Sequence, residues 1–277
     1  MRTIESLEEI RQISESLRQG LKTIALVPTM GYLHDGHLAL VEKARSRADV
    51  VITSIFVNPT QFAEGEDLAV YPRDPAGDAR KLESAGCDLL FTPSVAEIYP
   101  PNFNTYVSVE GITGLFEGSF RPTHFRGVTT VVAKLFNITR PHIALFGQKD
   151  AQQVAVIRKM ITDLNFDVRL VVVETMREAD GLAMSSRNVY LSQEDRVHAV
   201  TISRALRAAR EALLAGSGLE DARFRMREEI SPAIAIDYAE IIDGDLFEPA
   251  TDASKHLVGI FAGRVGRTRL IDNMTIR

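Results

Sequence analysis

Three short apolar runs rich in β-branched residues, Thr23 to Val27, Val50 to Val57 and Val168 to Val173, recur along the chain with amphipathic stretches between them. Runs of this length and composition are typical of strands buried at the centre of a parallel sheet. Parallel neighbours need crossover connections, and helical spacing supplies them. Apolar residues recur at Ile4, Leu7, Ile10, Ile13 and Leu17 before Gly20, and at Leu38, Val41, Ala44 and Ala48. Further helices are expected over Pro75 to Ala85, over Val128 to Phe136, and from Gly147 to Asn165, with strands at Asp88 to Phe91 and His142 to Phe146. The alternation predicts an α/β fold, a Rossmann-like doubly wound parallel sheet.

The pattern breaks at Arg177-Glu178-Ala179-Asp180-Gly181. Beyond it come helices to about Ala215 and over Leu219 to Glu229, then strands near Ile236 to Ile242, His256 to Ala262 and Thr268 to Asp272. Helices followed by strands predict a smaller α+β domain, dividing the chain into residues 1–176 and 177–277. Gly111 to Gly127 is the longest stretch without periodicity, the kind of segment that forms a lid or a subunit contact.

In open α/β sheets ligands sit beyond the carboxyl ends of the strands. The first strand runs into Val27-Pro28-Thr29-Met30-Gly31-Tyr32-Leu33-His34-Asp35-Gly36-His37-Leu38, where His34 and His37 flank a glycine at the start of the next helix. Free backbone N–H groups and the helix dipole make such a turn an anion site, and glycine lets the ligand approach the backbone. A strand, a turn and two half-exposed histidines would give the same letters. The context favours chemistry, because Gly147-Gln148-Lys149-Asp150 and Met184-Ser185-Ser186-Arg187 stand in comparable settings. Lysine at a helix start is disfavoured by the dipole unless it faces an anion. Asn58 and Gln61 follow another strand. Asp74 and Asp78, at a helix start, suit solvated charge or a helix cap better than a cation site.

Composition narrows the partners. A net charge of −5, from 32 basic and 37 acidic residues, gives no reason to expect a nucleic-acid partner. No apolar run is long enough to span a bilayer, and Met1 to Ile10 lacks the apolar core of a secretory signal. The single cysteine, Cys87, fits a reducing compartment, so the expected location is cytoplasmic, with no membrane partner. Neither a G-x-x-x-x-G-K-[ST] loop nor a G-x-G-x-x-G first turn is present, which argues against kinases and dehydrogenases.

Pairing H-x-G-H with Met-Ser-Ser-Arg, the chain resembles the nucleotidyltransferase superfamily that includes class I aminoacyl-tRNA synthetases. Five blocks in order narrow this: Pro28 to His37, Phe56 to Phe62, Arg121 to Phe125, Phe146 to Asp150, and Asp180 to Asn188. Together they resemble the pantothenate synthetase (pantoate–β-alanine ligase) family, and the match spans nearly the whole chain. The resemblance implies two steps at one site. Pantoate and MgATP give pantoyl adenylate and pyrophosphate; the amine of β-alanine then attacks the acyl group and releases AMP.

By the family pattern, ATP is bound by Met30, Gly31, Tyr32, Leu33, His34, Asp35, Gly36, His37, Gly147, Gln148, Lys149, Asp150, Met176, Met184, Ser185, Ser186 and Arg187. Pantoate is bound by Gln61 and Gln153. In-line attack at the α-phosphorus builds negative charge, so preorganised donors and cations should dominate. His34, His37, Lys149 and Arg187 are the expected catalytic groups, with proton donation a role open to His37 and ribose binding expected of Asp150. Mg²⁺ is an expected cofactor with unassigned ligands, and a homodimer is the implied assembly. Two alternatives stay open: a nucleotidyltransferase acting on a phosphorylated acceptor, which would want further basic residues in place of the two glutamines, and a non-enzymatic nucleotide sensor.

Overall fold

The computed structural model describes residues 1–277 apart from Glu64 and Asp67. The β-branched runs become the strands of a six-stranded, all-parallel sheet: β1 (Arg2–Ile4), β2 (Ile24–Thr29), β3 (Val50–Ile55), β4 (Leu89–Phe91), β5 (Ile143–Gly147) and β6 (Arg169–Val173). Their order is β1-β4-β3-β2-β5-β6. The chain winds outward one way from β2 and then the other way from β5, so the topological switch lies between those two strands. The turns that follow β2 and β5 carry the two histidines and Lys149.

Helices cover both faces. Ile10 of α1 (Leu7–Gln19), Val128, Val132 and Phe136 of α6 (His124–Thr139) and Ile157 of α7 (Ala151–Asp163) pack in one core cluster. Leu40 and Val41 of α2 (Asp35–Arg45) and Leu82 of α3 (Pro75–Ser84) pack in the other. The single-turn helices α4 (Val95–Ile98) and α5 (Glu117–Phe120) lie in the connections.

After β6 the architecture changes to helices α8 (Gln193–Leu214) and α9 (Leu219–Glu229), then β7 (Ile234–Asp243), β8 (Glu248–Pro249), β9 (Leu257–Val265) and β10 (Thr268–Thr275). These strands form an antiparallel sheet in the order β10-β9-β7-β8. One face buries Leu206, Ala209 and Met226 of the helices against Ile241, Phe261 and Leu270. The fold is thus α/β with a separate small antiparallel sheet. Among the described residues no helix is long and apolar enough to cross a membrane.

The structure corrects three expectations. Ile4 does not open the first helix. It ends edge strand β1, which pairs with β4, and Ser6 caps α1 by accepting the Glu9 N–H. The helix expected from Val128 begins at His124, and two helical turns interrupt the stretch before it. Gln152 holds that stretch, donating to the carbonyls of Ile112 and Leu115 and accepting from Glu117 N, so buried amide bonds anchor its middle. Asp74 is the helix cap, accepting from Gly77 N, whereas Asp78 is not solvated: it is 1% exposed and turned onto the backbone of the histidine turn.

Candidate active site

The histidine turn needs a chain reversal directly after β2. Gly31 takes φ +84° and its N–H donates to Thr29 Oγ1; Tyr32 follows at φ +51°. A β-carbon at Gly31 would also come 3.0 Å from Ile55 and 3.1 Å from Asp78, so glycine suits the position on both counts. His34 then caps α2, and its backbone N–H donates to His37 Nδ1 at 3.3 Å. The two rings lie 4.1 Å apart, centroid to centroid. At Gly36 a β-carbon would come 3.0 Å from the His34 ring, so the glycine between the histidines makes room for the imidazole.

Both imidazoles are neutral at physiological pH. Burial brings His34 to about 4, with the Lys149 ammonium adding to the effect; burial brings His37 to about 3, helped by His34, Lys149 and Lys81. Because His37 Nδ1 accepts a hydrogen bond, the ring proton sits on Nε2. The pair is therefore equipped to donate hydrogen bonds rather than to act as an imidazolium acid. An anion bound beside the rings would raise both values.

Lys149 reaches the same space from the turn after β5. Its backbone is held from the small sheet: Asn273 of β10 donates Nδ2 to the carbonyls of Gln148 and Lys149, each at 2.8 Å. The neighbouring Asp272 makes a two-pronged ion pair with Arg177 at 2.7 and 3.0 Å. Burial pushes the Asp272 carboxyl upward and Arg177 opposes that shift. Arg177 bridges to Ala183, and Met184 N donates to Met176 O, which brings the Met-Ser-Ser-Arg loop back over β6. One strand end thus sets the position of the Lys149 and Met-Ser-Ser-Arg loops.

The opposite side is amidic and apolar. Gln61 is 9% exposed; its Oε1 accepts from Asn58 Nδ2 at 3.0 Å and its Nε2 points to Met30 Sδ at 3.1 Å. Asn58 is itself fixed by the Gly127 carbonyl and the Tyr99 hydroxyl. His124 Nδ1 and Arg121 both bond the Gln61 carbonyl, and Arg121 is paired with Glu66. Gln153, on α7, shares this cavity with an apolar wall of Phe56, Phe125, Val128, Val131, Val132 and Leu135. The cavity measures about 1040 Å³ and is lined from both sheets. That is room for a nucleotide and a second small molecule together.

Comparison with known proteins settles what this arrangement belongs to. Residues 2–275 match the family model described as pantoate-beta-alanine ligase. The chain belongs to the pantoate–β-alanine ligase family. Over its full length it is 54% identical to a pantothenate synthetase of Heliobacterium modesticaldum, covering 99% of that protein, and 49% identical to one of Geobacter sulfurreducens, again covering 99%. A crystal structure of pantothenate synthetase from Thermus thermophilus superposes with a TM-score of 0.95 at 47% identity, covering 100% of this chain and 99% of that one. A pantoate-beta-alanine ligase from Francisella tularensis, solved with a β,γ ATP compound and β-alanine, superposes at 0.83 with 34% identity, covering 99% and 97%. The chain is an ATP-dependent ligase that condenses pantoate with β-alanine.

For this ligase most sequence-predicted residues converge. Met30, His34, Gly36, His37, Gly147, Lys149, Asp150, Met176, Met184, Ser185, Ser186 and Arg187 line the cavity, as do Gln61 and Gln153. Gly31, Tyr32, Leu33, Asp35 and Gln148 are not on its lining. Leu33 is 2% exposed in the core, Asp35 faces solvent, and the Gln148 side chain is engaged by Asn273. Sequence reasoning missed Ser54 and Thr175, whose hydroxyls line the cavity, are buried and have no hydrogen-bond partner among the described residues. The only cue for Ser54 was a polar residue interrupting an apolar strand. Asn273 and the Asp272–Arg177 pair left no local signal.

Proposed function

We propose that both steps take place in this one cavity, with the polyphosphate over the start of α2 and pantoate between Gln61 and Gln153. What supports the reading is the division of the lining: neutral imidazoles, a lysine and the Ser185-Ser186-Arg187 loop on one side, two amides and an apolar wall on the other. A carboxylate held by amides keeps its nucleophilicity, and the guanidinium that bonds the Gln61 carbonyl, that of Arg121, is already paired with Glu66. Pantoate's two hydroxyls suit the glutamines and its geminal methyls the Phe and Val wall.

In the first step a pantoate carboxylate oxygen attacks the α-phosphorus. The new P–O bond forms as the bond to pyrophosphate breaks. His34 and His37 donate hydrogen bonds, and Lys149, Ser185, Ser186 and Arg187 stabilise charge on the equatorial and leaving oxygens. Asp150 binds the ribose, and Met176 lies along the nucleotide. In the second step the β-alanine amine bonds to the acyl carbon, the acyl–oxygen bond breaks, and AMP leaves with its electron pair; the ammonium proton passes to phosphate or solvent.

Mg²⁺ belongs to the same proposal as charge neutralisation carried in on the phosphates. Among the described residues no three His, Cys, Asp or Glu side chains gather as a metal cage. Asp150 and Glu174 of the cavity wall are carboxylates that would help hold such an ion, which would neutralise charge on the phosphates. A homodimer in the cytoplasm is the remaining part of the reading, with sedimentation as the check on the assembly.

The test is exchange of labelled pyrophosphate into ATP. It should require pantoate and not β-alanine, and Lys149→Ala should slow it by about 10²- to 10³-fold, the usual scale for one transition-state donor. Exchange dependent on β-alanine would overturn the assigned order of steps, and near-normal exchange in Lys149→Ala would remove that lysine from the mechanism.

A further inference from the structure

We propose that Lys81 and Asp78 of α3 are positioning residues for the histidine pair, holding the peptide plane that selects the tautomer of His37. The inference rests on the reading of His37 as a hydrogen-bond donor to the phosphates, and it adds what keeps that donor in place.

The geometry runs through one residue. Asp78 receives two backbone N–H groups, Tyr32 on Oδ2 at 2.8 Å and Leu33 on Oδ1 at 2.7 Å. Lys81, one turn further along α3, donates Nζ to the Leu33 carbonyl at 2.6 Å. The Leu33 carbonyl and the His34 N–H are two ends of the same planar peptide group. Lys81 therefore grips one edge of the plane whose other edge donates to His37 Nδ1 at 3.3 Å. A cation on the carbonyl oxygen also polarises the plane and strengthens the opposite N–H as a donor.

This matters because the turn is not at rest by itself. Gly31 and Tyr32 both have positive φ, +84° and +51°, and for tyrosine that conformation is costly. The carboxylate of Asp78 satisfies the two amides that this reversal leaves pointing away from the sheet. Without the brace the plane is free to rotate. His37 Nδ1 then loses its donor, both neutral tautomers become accessible, and the fraction carrying the proton on Nε2 falls. His37 Nε2 has no hydrogen-bond partner among the described residues, and His37 lies on the cavity wall. The ammonium of Lys81 is also one of the charges acting on that ring, together with His34 and Lys149.

Neither residue lines the cavity, so neither is assigned contact with substrate. Both oxygens of Asp78 are occupied by the turn, which accounts for a buried carboxylate without recourse to a cation. Lys81 is an exposed residue, so replacing it leaves the core untouched.

The experiment uses the full-length enzyme with ¹⁵N-labelled histidine and long-range ¹H–¹⁵N spectra, which distinguish Nδ1–H from Nε2–H imidazole. Wild-type His37 should show the Nε2–H pattern alone. Lys81→Met should give a mixture of tautomers and about a tenfold lower kcat for pyrophosphate exchange, with the KM for ATP changed less than about threefold, and Lys81→Arg should restore both. Asp78→Asn should shift the tautomer in the same direction; if that variant does not fold, Lys81→Met alone decides. An unchanged His37 tautomer in Lys81→Met overturns the proposal, whatever happens to activity. Normal exchange in His37→Ala, by contrast, would refute the donor role of His37 and leave the tautomer result standing.

Discussion

Gly127 is a position where one added methyl group would press on the backbone of Gln61, which is proposed above to hold pantoate. It sits in the first turns of α6 against the 3₁₀ turn Pro59–Gln61. A β-carbon there would stand 2.4 Å from the Thr60 carbonyl oxygen, 2.5 Å from its carbon and 2.6 Å from Gln61 N. All three are backbone atoms, so no rotamer change relieves the overlap. Ordinary contact begins at 3.4 Å, and 3.4 less 2.4 leaves a displacement of about 1 Å for Gly127→Ala. The movement falls on Gln61 itself, because Asn58 Nδ2 bridges the Gly127 carbonyl and Gln61 Oε1 at 3.1 and 3.0 Å. Alanine gains about 1 kcal/mol over glycine as a helix former, whereas overpacking costs about 1–3 kcal/mol, so the variant should fold with a modestly lower Tm. A misplacement near 1 Å is worth roughly 100-fold in rate, which should appear in kcat/KM for pantoate with little change in the KM for ATP. Pyrophosphate exchange at varied pantoate and ATP measures both. Gly114→Ala is the control, since a β-carbon there meets nothing within 4 Å. Pantoate kinetics within about twofold of wild type in Gly127→Ala, at unchanged Tm, would refute the argument that this helix contact sets Gln61.

Two further outcomes are expected. Gln153→Leu and Gln61→Leu should each lower kcat/KM for pantoate by about 5- to 150-fold, the range for leaving a buried substrate hydroxyl unpaired, and leave ATP affinity nearly unchanged; equal losses for both substrates would show the pantoate pocket to be misplaced. Stability should fall as the medium is acidified below the ordinary imidazole value of 6.5. Burial is the main cause holding His34 at about 4, His37 at about 3 and His124 at about 4, so the folded state binds fewer protons than the unfolded chain. Their contribution is complete above about pH 6.5 and erodes down through those folded values, with a slope of up to about 4 kcal/mol per pH unit for three protons. Urea midpoints compared at about pH 7.5, 6 and 5 measure it, and a flat midpoint would show that these imidazoles protonate without unfolding cost.

The amino-acid sequence by itself determined the strands of the parallel sheet, the helix after the histidine turn, and most of the residues that reach the cavity. Those features are local. A β-branched run, a cap residue or a glycine beside an imidazole carries its meaning within a few positions. The tertiary structure decided what happens between positions far apart in the chain. Ile4 matches a helical stripe and becomes a strand because β4 offers it a parallel edge. Asp78 has the spacing of a helix-start carboxylate and instead meets two amides of a turn 46 and 45 residues earlier. Asn273 governs the Lys149 loop from 124 residues away, and Asp272 holds Arg177 across 95. The neutrality of His34 and His37 also lies outside the letters, because it comes from burial and from two lysines brought up by other elements. Periodicity reports which face of an element is apolar, but hydrogen bonds and charges act through space, and only the packed chain specifies which groups meet.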